Sequence, residues 1–226
     1  MLDNTNSNQS GFTLVEMIVA VTAGTLVIVL VLSISFYYFA NILQVNAQTR
    51  LVTEAQIALN RVVEDVRTGS AVLLSNTITD INEPVGGWTT SNADLILILS
   101  TPALDSTNAF IFDSDTGNPY QNEFIYFTDS DNHLHKRILA NPSAPDNIAT
   151  TTCPETAATP ACPADSLLTD NFDTMSFSFF DRDNVPTADP TAARSANITI
   201  LMNDNVFSRE IKAENNTRMS LRNPGV

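Results

Sequence analysis

The sequence predicts an α+β protein in which one long N-terminal helix packs on an antiparallel β-sheet. Three observations predict it. Residues 17–40 form an apolar run without a charged residue. A stripe of apolar residues at spacings of three and four continues beyond residue 41. Only after residue 93 do short apolar or aromatic-rich segments begin, separated by turn residues. Helix first and strands afterwards is the order of a helix laid on one face of a sheet.

Residues 1–10 are rich in Asn and Ser and carry neither Lys nor Arg. A secretory signal would have a basic start and a cut site behind its apolar stretch. The run at 17–40 is longer than the ~20 residues a helix needs to cross a bilayer, and inside lipid only a helix satisfies every backbone group of a single segment. Glu16 stands at its start, and an ionisable group at a membrane boundary marks a function. Ala20 and Gly24, four apart, give a small face on which a second helix can approach closely. The first base is Arg50, so flanking charge does not set the orientation.

The stretch Gly11-Phe12-Thr13-Leu14-Val15-Glu16 in front of this run resembles the class III signal of type IV prepilins and of the pseudopilins of type II secretion. The resemblance implies a leader, 1–11, removed by a prepilin peptidase after Gly11, and N-methylation of the new terminus at Phe12. It implies a transmembrane segment 12–40, an amphipathic continuation 41–68 and a soluble head 69–226, the ladle shape of pilins. Its implied partners are other pilin or pseudopilin subunits through the N-terminal helix, the peptidase and an inner-membrane assembly platform. In a fibre, the implied partner of Glu16 is the Phe12 amine of a neighbouring subunit. The implied place is the cytoplasmic (inner) membrane, single-pass with the C-terminal domain outside, and then an extracellular or periplasmic fibre.

Leu51, Ala55, Ala58, Leu59, Val62 and Val66 form the helical stripe, and Gly69 supplies the stop. Carried from 12 to 68, this helix would be about 85 Å long. Residues 70–93 read as a long connection. Its Trp88, the only one in the chain, either plugs the edge of a core or serves as a contact residue at a subunit interface. The expected strands are 94–101, apolar on both faces and covered by the helix, then 109–112, 123–128, 133–139, 175–180, 196–202 and 206–213, with a short terminal piece at 217–221. Segments 123–128 and 133–139 are close enough to pair as a hairpin, and Asn203-Asp204-Asn205 is the expected turn between the next-to-last pair. Residues 140–165 are rich in Pro, Ala and Thr and read as a surface loop pinned by Cys153 and Cys162. Two thiols and no others fit one disulfide in a non-cytosolic compartment.

Five of the 25 acids and three of the 11 bases precede Gly69, which leaves 20 against 8 and a net charge of −12 after it. A head so acidic has no footprint for neutralising phosphates, so no nucleic acid is expected as a partner. Three Asp-x-Asp segments follow aromatic residues, at Asp113/Asp115, Asp129/Asp131 and Asp181/Asp183. Alternate carboxylates begin a calcium loop, yet none has the distal Glu, and the same residues make plain turns. Asp113 and Asp115 are the calcium candidates; otherwise no cofactor and no metal is expected. His133 and His135 lie two apart on one strand face, but no third ligand can be named, and they read as a pair at a turn exit. No phosphate loop, nucleophile elbow or metalloprotease motif is present, so no enzyme is expected.

The helix end 60–67, the block 167–172 leading to 177–181, and the closing Ser220-Leu221-Arg222-Asn223 are similar to the W-type minor pilins and J-type minor pseudopilins. That resemblance implies a structural subunit that takes part in initiating or capping a fibre. An adhesin at the fibre tip, contacting its target through Trp88 and the cysteine loop, is the alternative of a different class. A membrane-tethered envelope enzyme is a third.

Overall fold

The computed structural model describes residues 11–206 and 209–221. Residues 1–10 of the expected leader 1–11, and Arg222-Asn223 of the closing block, lie outside them. Helix α1 (Leu14–Thr68) precedes the strands β1 (Ala71–Leu73), β2 (Leu97–Pro102), β3 (Gln121–Thr128), β4 (Leu134–Leu139), β5 (Ser166–Thr169), β6 (Phe172–Phe180), β7 (Pro186–Thr187), β8 (Ser195–Val206) and β9 (Arg209–Ser220). The chain divides into two compact units, with the boundary between Asn46 and Ala47 inside α1.

In the first unit α1 runs through apolar sequence with Gly24 as its weakest helix former. The hydroxyls of Thr22, Thr25, Ser33 and Ser35 donate to carbonyls three or four residues earlier, at 2.8–2.9 Å, so these polar groups need no outside partner. The apolar side chains stand exposed, Leu26 at 65% and Phe36 at 71%. Among the described residues this is the one helix long and apolar enough to cross a membrane.

In the second unit the same six residues that the spacing singles out, Leu51, Ala55, Ala58, Leu59, Val62 and Val66, are the buried residues of α1. They meet two antiparallel sheets, not the single sheet expected. One has the order β1-β2-β3-β4-β5 and the other β7-β6-β8-β9. Leu97, Leu99, Tyr126 and Leu134 of the first sheet and Met175, Phe177, Ile198, Ile200 and Met202 of the second share one core with the helical stripe. The chain passes from one sheet to the other between β5 and β6, where Asn171 Nδ2 donates to Glu54 Oε2 of α1 at 2.9 Å. At the far end of the helix, the Tyr126 hydroxyl and Lys136 Nζ (2.6 Å) both donate to Asp65. Burial, then the Asp65 charge, push the Tyr126 phenol well above its ordinary pKa.

Gly69 ends the helix by donating to the Asp65 carbonyl at 2.8 Å. A Cβ there would lie 3.1 Å from that oxygen and 3.3 Å from the Ser100 carbonyl, so a larger residue would press the helix end and β2 apart by a few tenths of an ångström. Strand β2 is buried on both faces, as its composition predicts. The stripe covers Leu97 and Leu99, while Ile98 packs with Trp88, Ile125 and Leu139 under the 74–96 connection.

Several strand expectations need correction. Residues 94 and 95 lie in a turn and Ile96 makes an isolated bridge with Ser91, so β2 starts only at Leu97. Residues 109–112 make only isolated bridges, Leu104 with Phe110 and Phe112 with Pro119. Turns on either side leave too few residues for a ladder, and proline cannot donate to one. Asn203, Asp204 and Asn205 lie inside β8, paired with Lys212, Ile211 and Glu210. These turn-prone residues are tolerated because Asn203 bonds Glu210 at 2.8 Å and Asp204 receives Arg50 of α1 at 2.5 Å. The connection falls at 207–208, outside the described residues, and the separate pieces expected at 206–213 and 217–221 are one strand, β9.

Ala55 and Ala58 are fully buried in the core that the helix shares with the two sheets. Ala58→Leu forces side chains into that seam and is expected to cost about 1–3 kcal/mol, measured by chemical denaturation followed through Trp88 fluorescence.

Candidate functional site

The N-terminal segment begins with a local device. The Glu16 amide donates to Thr13 Oγ1 at 3.3 Å, and Glu16 Oε2 accepts from the Thr13 amide and hydroxyl at 2.9 and 3.0 Å. This is a capping box, with Thr13 as N-cap and Glu16 three residues on. The signal for it, Thr-x-x-Glu, is present in the sequence. Gly11, Phe12, Thr13 and Glu16 are all exposed, and Ala20 and Gly24 share an exposed face of α1 one turn apart. An added Cβ at Gly24 would meet nothing within 4 Å.

In the second unit the β3–β4 hairpin carries a cleft of ≈ 770 Å³, lined among others by Trp88, Phe127, Asp129, His135, Arg137 and Leu167. Its floor is a buried ion cluster centred on Arg137, whose side chain is 2% exposed. Arg137 Nη1 donates to Asp80 Oδ2 at 2.8 Å and Nη2 to Asp165 Oδ2 at 2.6 Å. Burial alone would lower the arginine pKa, but the bonds to Asp165 and Asp80 outweigh it and raise the value. Trp88 Nε1 donates to Asp80 at 2.9 Å, and Thr152 Oγ1 to Asp165 at 2.7 Å.

Trp88, 5% exposed and 4.9 Å from the Phe127 ring, is therefore a core-edge residue. Its other edge lines the cleft. Cys153 and Cys162 form a disulfide, and closing so short a loop contributes about 3 kcal/mol in the chain-entropy account. Segment 140–165 is more than a surface loop. The Asp165 amide donates to the Cys153 carbonyl at 2.8 Å, so the disulfide region braces the carboxylate that Arg137 needs. Sequence reasoning passed over Arg137, because a lone cation in a strand does not show which distant carboxylates will meet it.

The acidic turns share one construction. In the turns opened by Asp105, Asp129 and Asp181, the Asp amide bonds the carbonyl four residues on, and the residue at the third place after it is an asparagine with φ near +60°. One carboxylate oxygen, Oδ1, then accepts from the backbone amides of the turn at 2.7–3.0 Å. Asp113 differs, since Oδ1 accepts from the Asp115 amide at 2.9 Å and Oδ2 from Thr116 Oγ1 at 3.0 Å.

Only the Asp129 turn gathers further titratable groups on its second oxygen. Asp129 Oδ2 lies 3.1 Å from His133 Nδ1 and 2.9 Å from His135 Nε2. Burial would raise this carboxyl, yet the His133 amide, the His135 ring, the Asp131 amide and the His133 charge hold it down at about 2. The histidine pair thus has the third partner that the sequence did not supply. An Asp four residues before the first His, across a turn, was the legible signal.

Among known families, the one described as the prokaryotic N-terminal methylation motif matches residues 6–32. No curated protein matches the chain. The match spans Gly11 to Glu16 and the start of the exposed apolar helix, so the chain carries a type IV prepilin-like class III signal on a helix long and apolar enough to cross a membrane. That signal supports a type IV pilin or pseudopilin subunit that assembles with others of its kind.

Removing the cation at the cleft floor leaves Asp80 and Asp165 buried without compensation. Arg137→Met is expected to destabilise the second unit by about 3–5 kcal/mol, read as a lowered denaturation midpoint.

Proposed function

We propose that the chain is a minor type IV pilin or pseudopilin, a structural subunit that takes part in initiating or capping a fibre. The observation that carries this reading is the methylation motif lying at the start of an apolar helix whose side chains find no cover in their own unit. Prepilin peptidase cuts after Gly11 and Phe12 is N-methylated. The subunit waits in the cytoplasmic membrane with its C-terminal domain outside, then enters the fibre through an assembly platform. Ala20 and Gly24 give neighbouring helices a face of close approach.

Glu16 has two roles in this scheme. Within the chain it closes the capping box on Thr13. Between subunits it neutralises the Phe12 amine of a neighbour, a charge pair that lipid or a fibre core makes obligatory. The acidic head and long loops suit a minor subunit near the tip better than a tightly packed major one, in line with the W-type and J-type likeness of the sequence. Because the most distal subunit of such complexes usually lacks this Glu, the chain belongs just below the tip.

Mass spectrometry of the protein taken from fibres or membranes is expected to find an N-methylated Phe12 terminus; an intact Met1 terminus would overturn the reading. Glu16→Ala is expected to be processed normally and to assemble poorly. Thr13→Ala removes only the cap, worth about 1 kcal/mol, and is expected to assemble nearly as well as the parent. Equal loss in both variants would reduce Glu16 to a capping residue.

A further inference from the structure

We infer that Asp129 Oδ2, His133 Nδ1 and His135 Nε2 form a binding site for a divalent transition-metal ion of the zinc class. The three ligand atoms lie within 4.8 Å of one another, and the carboxylate oxygen stands 2.9 and 3.1 Å from the two nitrogens. Bonds of 2.0–2.2 Å around a tetrahedral ion set ligand atoms about 3.3 Å apart. An ion therefore requires the oxygen to move away from each nitrogen by a few tenths of an ångström, and the two nitrogens, which lie within 4.8 Å of one another, to settle at the same spacing. The site brings together both histidines of the whole chain.

The related turns act as internal controls. Oδ1 alone organises the turn at Asp105 and at Asp181, as it does at Asp129. The turn therefore does not need the second oxygen, and the convergence of two imidazoles on it is additional to the fold. Two features position the rings. His133 leaves the turn directly opposite Asp129, its carbonyl accepting from the Asp129 amide at 3.1 Å. His135 sits at a register shift in β4, opposite β5, and stacks on Phe127 with centroids 5.5 Å apart. Such irregularities re-aim a side chain next to functional sites.

Two imidazoles and one carboxylate suit zinc and its neighbours in the first transition row, whereas calcium and magnesium want oxygen alone. Three protein ligands leave a fourth position open. All three ligand residues line the same cleft as Trp88, Phe127 and Leu167, so a water or a donor from a partner molecule has a route to complete the shell. The disulfide removes the chain's only thiols from competition.

The test uses the untagged full chain in detergent micelles, stripped with chelator and dialysed against Zn2+ with metal analysis and calorimetry. One Zn2+ per chain is expected at micromolar ion, with a raised melting temperature and no displacement by excess Ca2+ or Mg2+. Asp129→Asn keeps the Oδ1 acceptor for the turn, and His135→Phe keeps the stack on Phe127. Each is expected to weaken zinc binding at least about tenfold, with a cooperative metal-free melting transition retained. Absence of zinc uptake by the parent chain would overturn the assignment whatever the variants do. Uptake that both folded variants leave unchanged, or that calcium displaces equally, would overturn it as well.

Discussion

The second unit depends on one strip of six helical side chains. Leu51, Ala55, Ala58, Leu59, Val62 and Val66 must cover the inner faces of two sheets at once. A helix offers only one apolar face at this spacing, so the sheets have to converge on it, and the chain changes sheet beside the helix at Asn171. The alanines in the middle of the strip are part of the solution. Small side chains allow the backbone to approach both sheets, and the larger Leu and Val residues on either side fill what the alanines leave.

A second constraint acts on the opposite face of the first sheet. Residues 74–96 and the disulfide segment have little apolar material to bury, and the structure holds them with charge instead. Arg137 reaches from β4 to Asp80 of one segment and Asp165 of the other. One buried cation therefore joins two irregular stretches to a regular strand. The arrangement is sensitive to loss of its centre, because each carboxylate is then buried without a counter-charge.

These two constraints differ in how far they can be read from sequence. The helical stripe, the Gly69 stop and the β3–β4 hairpin are local patterns, and each appears where periodicity and turn residues place it. The division into two sheets is not local: β6 shows the same apolar alternation whether it extends the first sheet or founds a second. Asn203 to Asn205 mislead for a related reason, since a long strand bonded to Glu210 and Arg50 overrides local turn preference. At the N-terminus the methylation motif and the Thr13–Glu16 cap are both legible, because each is a local pattern of a few residues. Asp129 escaped because aspartate in a turn already has an ordinary explanation, which hides any second use.

That turn has a consequence for how the surface of this sheet can change. Its shape is set by one carboxylate oxygen and one asparagine with positive φ. The remaining oxygen is uncommitted, and what it meets is decided by the next two or three residues of the outgoing strand. Shape and chemistry are therefore separable at these hairpins, so a lineage can exchange what a loop binds through a few side chains while the backbone that displays them stays as it was.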